Sequence, residues 1–222
     1  MNLLHLTVSV IAAYLSGSVS FAILITRWVT GKDIRTLGNC NPGTSNVGRS
    51  VGKGWALLVL TGDLLKGLLP LFLAQSLLFP GKDPYSYFSL ILTGAAAITG
   101  HCFPLFYGFR GGGGLATSVA VYLFFIPFEF LFTLILSFSL VMLFFRKKQF
   151  PVGQLTPMFF VPLAPLLLLA GRLLPGLTLC GIRLNPPRSG VEIAGIALLS
   201  VLLFLINIRI VLTRFSSTDR HE

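Results

Sequence analysis

One histidine, one arginine and four consecutive glycines lie between two apolar segments in the stretch HCFPLFYGFRGGGGLATS, residues 101–118. Successive glycines reach backbone conformations that are closed to other residues, so their N–H groups can converge on an anion. Arg110 adds a permanent positive charge, and a helix that begins near Leu115 would add its positive N-terminal end. No Lys-Ser or Lys-Thr pair closes the glycines as in a P-loop. The pattern therefore indicates either phosphate binding or a flexible hinge.

A second candidate segment is the polar connector over residues 31–54, which is rich in glycine, asparagine and hydroxyl side chains. It is longer than a connection between two helices requires, which favours a binding role over the alternative of a solvated linker. Side-chain amides, hydroxyls and a guanidinium group can hydrogen bond to a phosphate or a polyol. We expect the connector and the glycine stretch to meet on one side of the membrane. The candidates in the connector are Asn41, Ser45, Asn46 and Arg49.

Asp63 and Lys66 lie inside an apolar segment and are three residues apart, so they share a helix face and can pair. On the insertion scale each charge near the middle of a bilayer costs about 2.5 to 3.5 kcal/mol, so such charges usually have a function. We predict that the pair lines or braces a polar cavity. The alternative is a purely structural ion pair.

The elements that position these residues must be membrane helices. The 222 residues are 54% hydrophobic and 11% charged, with a mean hydropathy of +0.85, which exceeds what one soluble core of this size could cover. A hydrocarbon core of about 30 Å needs about 20 apolar residues in a helix. We expect an all-α integral membrane protein, one domain over 1–222, with short re-entrant or polar cytoplasmic loops. About seven spans are predicted, near 3–28, 55–79, 85–100, 115–126, 131–145, 155–171 and 193–212.

The orientation of these spans follows from charge. The first span lacks a basic start and a convincing cleavage site, so we expect a retained helix rather than a signal peptide. With the N-terminus outside, the cytoplasmic segments contain most of the loop Lys and Arg residues, as the positive-inside rule requires. These are Arg27, Lys32, Arg35, Arg49, Lys53, Arg110, Arg146, Lys147, Lys148, Arg214 and Arg220, against Lys82, Arg172, Arg183 and Arg188 outside. The net charge of +10 then indicates attraction to anionic lipids and phosphate-bearing substrates rather than to nucleic acid.

Five short stretches of the sequence are ordinary when taken singly, but their order and spacing along the chain are specific. They are GSVSF at 17–21, GKDIR at 31–35, GNCNPGTSNVGR at 38–49, DLLKG at 63–67, and GHCFP at 100–104 before the glycines. In these stretches the chain resembles the bacterial acyl-phosphate-dependent glycerol-3-phosphate acyltransferases, the PlsY family. The resemblance covers most of the chain. It implies seven helices in the bacterial inner membrane, an outside N-terminus and active-site loops on the cytoplasmic face.

The resemblance also implies a reaction. An acyl group would pass from acyl phosphate to the 1-hydroxyl of glycerol 3-phosphate, giving lysophosphatidic acid for phospholipid synthesis, without a cofactor or metal. Because an acyl phosphate already carries a good leaving group, positioning and charge stabilisation could supply most of the catalysis. Together with the residues above, the resemblance makes His101, Arg49 and Asn46 the catalytic candidates. The candidates for binding substrate or phosphate are Asn39, Asn41, Ser45, Arg110, Gly111, Gly112, Gly113, Gly114, Asp63, Lys66 and Asn207.

The chain departs from the family's pattern by polar exchanges at Asn39, Thr44 and Ser45 and, more seriously, at three further positions. Gly113 stands where the family usually has lysine, and Phe204 and Ile210 stand where a histidine and an arginine usually flank Asn207. The alternative function is therefore a catalytically impaired paralogue that binds phosphorylated lipid precursors as a partner or regulatory membrane protein. A transporter of small anions is a third hypothesis, which the absence of repeated sequence halves counts against.

Overall fold

The computed structural model describes residues 2–81, 83–127, 130–131, 134–135, 139 and 143, the backbone of 178–179 and 182–183, and the helix over 190–218, with side chains there up to Ile206. The chain divides into two compact units, Met1–Val121 and Tyr122–Glu222. Three helical segments among the described residues are long and apolar enough to cross a membrane. They are Leu3–Thr30, Lys53–Leu78 and Pro84–Tyr107, which correspond to the first three predicted spans.

The predicted span near 3–28 is an interrupted helix. Helix α1, Leu3–Ser18, and helix α2, Phe21–Thr30, are separated by two residues with extended backbone. Ser20 restarts the helix, because its hydroxyl accepts a hydrogen bond from the N–H of Ile23 at 3.4 Å. Serine is a favoured residue at this position since it satisfies an N–H that has no partner within the helix. The break leaves backbone carbonyls of α1 available to other side chains.

The elements that follow α2 alternate helices with short turns. One of them, helix α5, Pro84–Cys102, begins at a cap in which Asp83 accepts hydrogen bonds from the N–H groups of Tyr85 and Ser86. Ser86 also donates its hydroxyl to the Asp83 carboxylate, and this bond lowers the pKa of Asp83 below its usual value. In chain order the elements are a 3₁₀ turn Ile34–Thr36, α3 Thr44–Ser50, α4 Lys53–Leu73 continued by a π-helical turn Ala74–Leu78, α5 Pro84–Cys102, a 3₁₀ turn Leu105–Tyr107 and α6 Leu115–Phe125.

Helix α6 ends two residues before Pro127, which lies between the predicted spans 115–126 and 131–145. Proline cannot donate the hydrogen bond that continues a helix. With 11 residues, α6 is about 16 Å long, roughly half the thickness of a hydrocarbon core. The helix therefore matches the bounds of the predicted span 115–126 to within one residue, but it is too short to cross a hydrocarbon core by itself.

Helices α1 and α5 pack closely because glycine lies at both points of contact. A Cβ at Gly17 would overlap the backbone carbonyl of Ala97, and one at Gly100 would overlap the carbonyl of Tyr14. Small residues let helix backbones approach closely in a membrane. This contact holds the end of α5, which carries His101, against the end of α1.

In the second unit, side chains of the described residues pack together. The rings of Tyr122 and Phe130 stack with centroids 5.8 Å apart, and the Tyr122 hydroxyl lies 2.8 Å from the hydroxyl of Ser200. The C-terminal helix Gly190–Thr218 covers the predicted span 193–212. A two-residue antiparallel ladder, β1 Thr178–Leu179 with β2 Ile182–Arg183, is an exception to the all-α expectation. The predicted span 155–171 and most of 131–145 lie outside the described residues.

Candidate functional site

The first loop, which connects α2 to α4, is organised around the side chain of Asn46. Its buried amide nitrogen donates to the carbonyls of Ile34 at 3.3 Å and Leu37 at 2.9 Å. Its oxygen accepts from the N–H of Asn39 at 3.2 Å and from the hydroxyl of Ser50 at 3.3 Å. These bonds use the hydrogen-bonding capacity of the amide. Asn46, a predicted catalytic residue, therefore holds the loop together in this structure.

The other candidates in the first loop are more open. Asn39, Ser45 and Arg49 are exposed, and Asn41 is partly buried. The side chain of Asn39 accepts a hydrogen bond from the N–H of Asn41 at 3.3 Å. The Arg49 guanidinium group makes no ion pair or hydrogen bond within the part of the chain that the structure describes. Its charge is available to a ligand.

An ion-pair cluster that the sequence analysis missed joins the first loop to the next one. Arg35 donates to both carboxylate oxygens of Asp33, at 3.1 and 2.9 Å, and Arg27 donates to one of them at 2.6 Å. The hydrogen bond from Arg35 holds the pKa of Asp33 well below its usual value, and the same bond raises the pKa of Arg35. Arg35 also donates to the carbonyl of Tyr107 at 3.0 Å. The Asp-x-Arg spacing was a signal for the pair, whereas the Tyr107 acceptor is a distant backbone atom.

The glycine loop, residues 108–114, folds back on the end of α5. The N–H groups of Gly111 and Gly112 donate to the carbonyls of Cys102 and His101, both at 3.2 Å. These two N–H groups are thus used within the protein and do not point into an open anion site as the sequence suggested. The N–H groups of Gly113 and Gly114 have no hydrogen-bond acceptor among the described residues.

Gly112 is the point where the two loops and His101 meet. A Cβ at Gly112 would lie 2.5 Å from His101 Nε2 and 2.9 Å from the carbonyl oxygen of Pro42 in the first loop. A Cβ at Gly113 would have no atom of the described residues within 4 Å. The structure therefore brings the two polar loops together, as expected, and leaves open space at Gly113.

Asp63, Lys66 and His101 form a buried cluster next to Gly112. Lys66 Nζ lies 2.8 Å from Asp63 Oδ1, which confirms the predicted pairing. Lys66 Nζ also donates to the carbonyl of Val19 at 2.8 Å. That carbonyl lies at the break between α1 and α2, where backbone oxygens lack a helical partner and a positive charge is favourable. His101 Nδ1 lies 3.6 Å from the same Asp63 oxygen.

The remaining candidates are Arg110 and Asn207. Arg110 is exposed. Thr117 donates to the backbone carbonyl of Asp63 at 3.1 Å, which fixes the start of α6 beside α4. Asn207 belongs to the C-terminal helix, and its side chain lies outside the described part of the structure. Within the described segments, no group of three His, Cys, Asp or Glu side chains gathers as a metal ion would require.

Comparison with known proteins shows which protein family the chain is similar to. The chain matches the family model for glycerol-3-phosphate acyltransferase over residues 7–217. The glycerol-3-phosphate acyltransferase of Thioalkalivibrio sulfidiphilus is 47% identical over 114 residues, which cover 51% of this chain and 53% of the relative, so the chain spans about half of that protein in the match. Its namesake from Syntrophomonas wolfei is 38% identical over 70% of this chain and 75% of the relative. The one from Azotobacter vinelandii is 40% identical over 72% and 86%.

Solved structures give the same result. The crystal structure of PlsY (YgiH), an integral membrane glycerol 3-phosphate acyltransferase, in its glycerol 3-phosphate form is similar with a TM-score of 0.69 at 27% identity. The match covers 96% of this chain and 92% of that one. The lysophosphatidic acid form of the same protein has a TM-score of 0.68 at 25% identity.

Proposed function

The chain belongs to the glycerol-3-phosphate acyltransferase family, and from this premise we propose that it transfers a fatty acyl group from acyl phosphate to the 1-hydroxyl of glycerol 3-phosphate. The hydroxyl oxygen bonds to the acyl carbonyl carbon, and the bond between that carbon and the phosphate oxygen breaks. The departing phosphate takes up the hydroxyl proton. The products are lysophosphatidic acid and inorganic phosphate, and the proposed reaction uses no cofactor or metal.

The observation that carries this proposal is the meeting of the two loops at Gly112, beside the buried imidazole of His101. The same two loops carry uncommitted donors, namely the guanidinium groups of Arg49 and Arg110 and the N–H groups of Gly113 and Gly114. Donors of this kind suit a phosphate and the oxyanion that develops on the acyl carbon. The relatives are named as the enzyme, which supports catalysis over a paralogue that only binds lipid precursors.

The site residues then divide by role. His101 and Arg49 are the proposed catalytic residues, and Asn46 is a positioning residue that acts through the loop it holds. Arg110 and the N–H groups of Gly113 and Gly114 bind phosphate. Asn39, Asn41 and Ser45 contact polar groups of the substrates, and Asn207 completes the proposed set.

We further propose that the protein spans the bacterial inner membrane seven times, with its N-terminus outside. The three long apolar helices and the likeness to an integral membrane enzyme support the membrane location. The excess of Lys and Arg on the segments that would face the cytoplasm supports the orientation. Both loops of the site would then face the cytoplasm.

A direct assay tests the reaction. The full chain in detergent or nanodiscs, given palmitoyl phosphate and labelled glycerol 3-phosphate, should form lysophosphatidic acid and one phosphate per product molecule. Palmitoyl-coenzyme A in place of the acyl phosphate should give no product, which tests the choice of donor. Product no greater than in a heat-killed sample would overturn the proposal and favour the binding paralogue.

Arg49 provides a sharper test of the site. Arg49→Ala should abolish turnover or raise the apparent KM for glycerol 3-phosphate about tenfold or more, because a hydrogen bond to a charged group is worth about 1.5 to 3 kcal/mol. Lys32 is an exposed cation at the start of the same loop. Lys32→Ala should leave both constants within about twofold, as surface substitutions usually do. Unchanged kinetics in Arg49→Ala would remove Arg49 from the site.

A further inference from the structure

Asp63 and Lys66 carry opposite charges and are nearly enclosed by protein. The reaction proposed above gives neither side chain a role in any step. Their side chains are 3% and 4% exposed, respectively. Lys66 is fixed at two points, by Asp63 Oδ1 and by the carbonyl of Val19, both at 2.8 Å. Asp63 Oδ1 also faces His101 Nδ1 at 3.6 Å. One anchored carboxylate oxygen therefore faces both an ammonium group and an imidazole.

The two nitrogens of the His101 imidazole face different surroundings. Nδ1 is buried, faces the carboxylate and makes no hydrogen bond within the described residues. Nε2 lies against Gly112, where the two loops meet. The neutral ring carries its proton on one nitrogen and a lone pair on the other. The surroundings of the ring therefore decide which nitrogen can accept a hydrogen bond.

The carboxylate favours the proton on Nδ1. A lone pair on the buried Nδ1 would be repelled by the negatively charged oxygen of Asp63, whereas an N–H at Nδ1 would be attracted to that oxygen. A second proton on the ring would give the cluster a net positive charge, because Lys66 already balances the one carboxylate. The neutral ring with N–H at Nδ1 leaves the lone pair on Nε2.

We propose that Asp63, anchored by Lys66, is a positioning residue that keeps the His101 proton on Nδ1. Nε2 is then free to accept a hydrogen bond, beside Gly112, from the substrate hydroxyl that receives the acyl group. The inference rests on the proposed function for the identity of that hydroxyl. A lone pair suits a hydroxyl, which donates, and repels a phosphate dianion, which has only acceptor oxygens. Glycerol 3-phosphate therefore binds with its 1-hydroxyl toward His101 and its phosphate toward the exposed arginines. The hydroxyl proton still leaves with the phosphate product.

The position of the proton can be measured without any substrate. The full chain labelled with ¹⁵N-histidine contains three histidines, and the His101 signals are assigned by their loss in His101→Gln. Long-range ¹H–¹⁵N spectra should show His101 with a protonated Nδ1 and an unprotonated Nε2. A wild-type spectrum with the proton on Nε2, or on both nitrogens, overturns the inference.

A double variant tests the role of the charged pair. Asp63→Leu with Lys66→Met replaces both charges by apolar side chains of similar size, so neither charge is left unpaired. Its spectrum should show the proton distributed over both nitrogens. Thr117→Val removes only the hydrogen bond to the backbone of Asp63, and should leave the proton on Nδ1. An unchanged His101 spectrum in the double variant overturns the inference. If the double variant does not fold, the wild-type spectrum alone decides.

Activity separates this inference from the proposed function. In an active enzyme the double variant should lower kcat about tenfold or more, since correct orientation of a reacting group is commonly worth that much. Its KM for acyl phosphate should stay within about twofold, because the phosphate-binding cations are untouched. If the wild-type protein makes no product, the proposed function fails while the spectra still test the proton position. If the protein is active and the proton lies on Nε2, only this inference fails.

Discussion

The first loop and the glycine loop meet at Gly112 but are held in opposite ways. The first loop is fixed by side chains, since Asn46 bonds across it and Arg35 joins Asp33 at its start. The glycine loop is fixed by its backbone, through N–H groups that bond to the end of α5, and by the absence of side chains at Gly111 and Gly112. A loop can thus be shaped by polar side chains or by their removal.

The two solutions leave different groups available to a ligand. The first loop offers side chains that are not used internally, such as Arg49. The glycine loop offers the N–H groups of Gly113 and Gly114. If this comparison is correct, added bulk should damage the glycine loop, and loss of hydrogen bonds should damage the first loop.

The largest effect is expected for Gly111→Ala. The added Cβ would overlap the carbonyl of His101 and lie 2.5 Å from Cδ of Pro104. Overpacking typically costs about 1 to 3 kcal/mol, and here it would displace His101. Gly113→Ala is the matched control, since no atom of the described residues lies within 4 Å of a Cβ at that position. Thermal unfolding should show a clear fall in melting temperature for Gly111→Ala and almost none for Gly113→Ala, and an acyltransferase assay should show that Gly111→Ala has lost activity. Equal destabilisation of the two variants would contradict the comparison.

Asn46→Ala tests how the first loop is held. The variant loses the hydrogen bonds to Ile34, Leu37, Asn39 and Ser50. The carbonyls of Ile34 and Leu37 keep a backbone N–H as a partner. We expect the free energy of unfolding to fall by about 2 to 4 kcal/mol, because each of the four lost hydrogen bonds is worth about 0.5 to 1.5 kcal/mol. Ser45→Ala, at the exposed neighbour, should change it by less than about 0.5 kcal/mol. Denaturation in detergent measures both, and a stable Asn46→Ala would show that the loop is held in another way.

A smaller effect is expected at the link between the loops. Arg35→Ala removes the hydrogen bond to Tyr107 as well as the pair with Asp33, whereas Arg27→Ala removes only a pair with Asp33. Hydrogen exchange over residues 105–110 should accelerate in the Arg35 variant alone. The expected stability losses are about 1 to 2 kcal/mol for Arg35 and below about 1 kcal/mol for the more exposed Arg27. Equal exchange in the two variants would mean that the Tyr107 contact does not join the loops.

The smallest effect is expected for the dependence of stability on pH, through the carboxyl group of Asp33. The pKa of Asp33 is lower in the folded chain than its ordinary value of 3.8. Its contribution to stability is therefore present above that value and is lost as the pH falls through the lower, folded pKa. On acidification from about pH 5 to about pH 2, the melting temperature of the wild type should fall more steeply than that of Asp33→Asn. Parallel curves would show that the ion pair contributes nothing to stability.

Features of the site that depend only on residues close together in the sequence were predictable. Asp63 and Lys66 pair because residues three apart share a helix face, and α6 ends before Pro127 because proline stops a helix. The role of Asn46 was not predictable in the same way. Its amide was read as a ligand group, but its partners include the backbone oxygens of Ile34 and Leu37, which any residue would supply.

The sequence by itself determined that the chain is built from apolar helices, that two polar loops carry the candidate chemistry and that one ion pair lies inside a helix. Hydrophobicity and spacing along a helix are properties of neighbouring residues, so they can be read without the fold. Only the tertiary structure decided that His101, Gly112 and Pro42 share one point and that Lys66 ends on the carbonyl of Val19. These contacts depend on how distant helices pack, and they involve backbone oxygens and missing side chains that no residue type identifies.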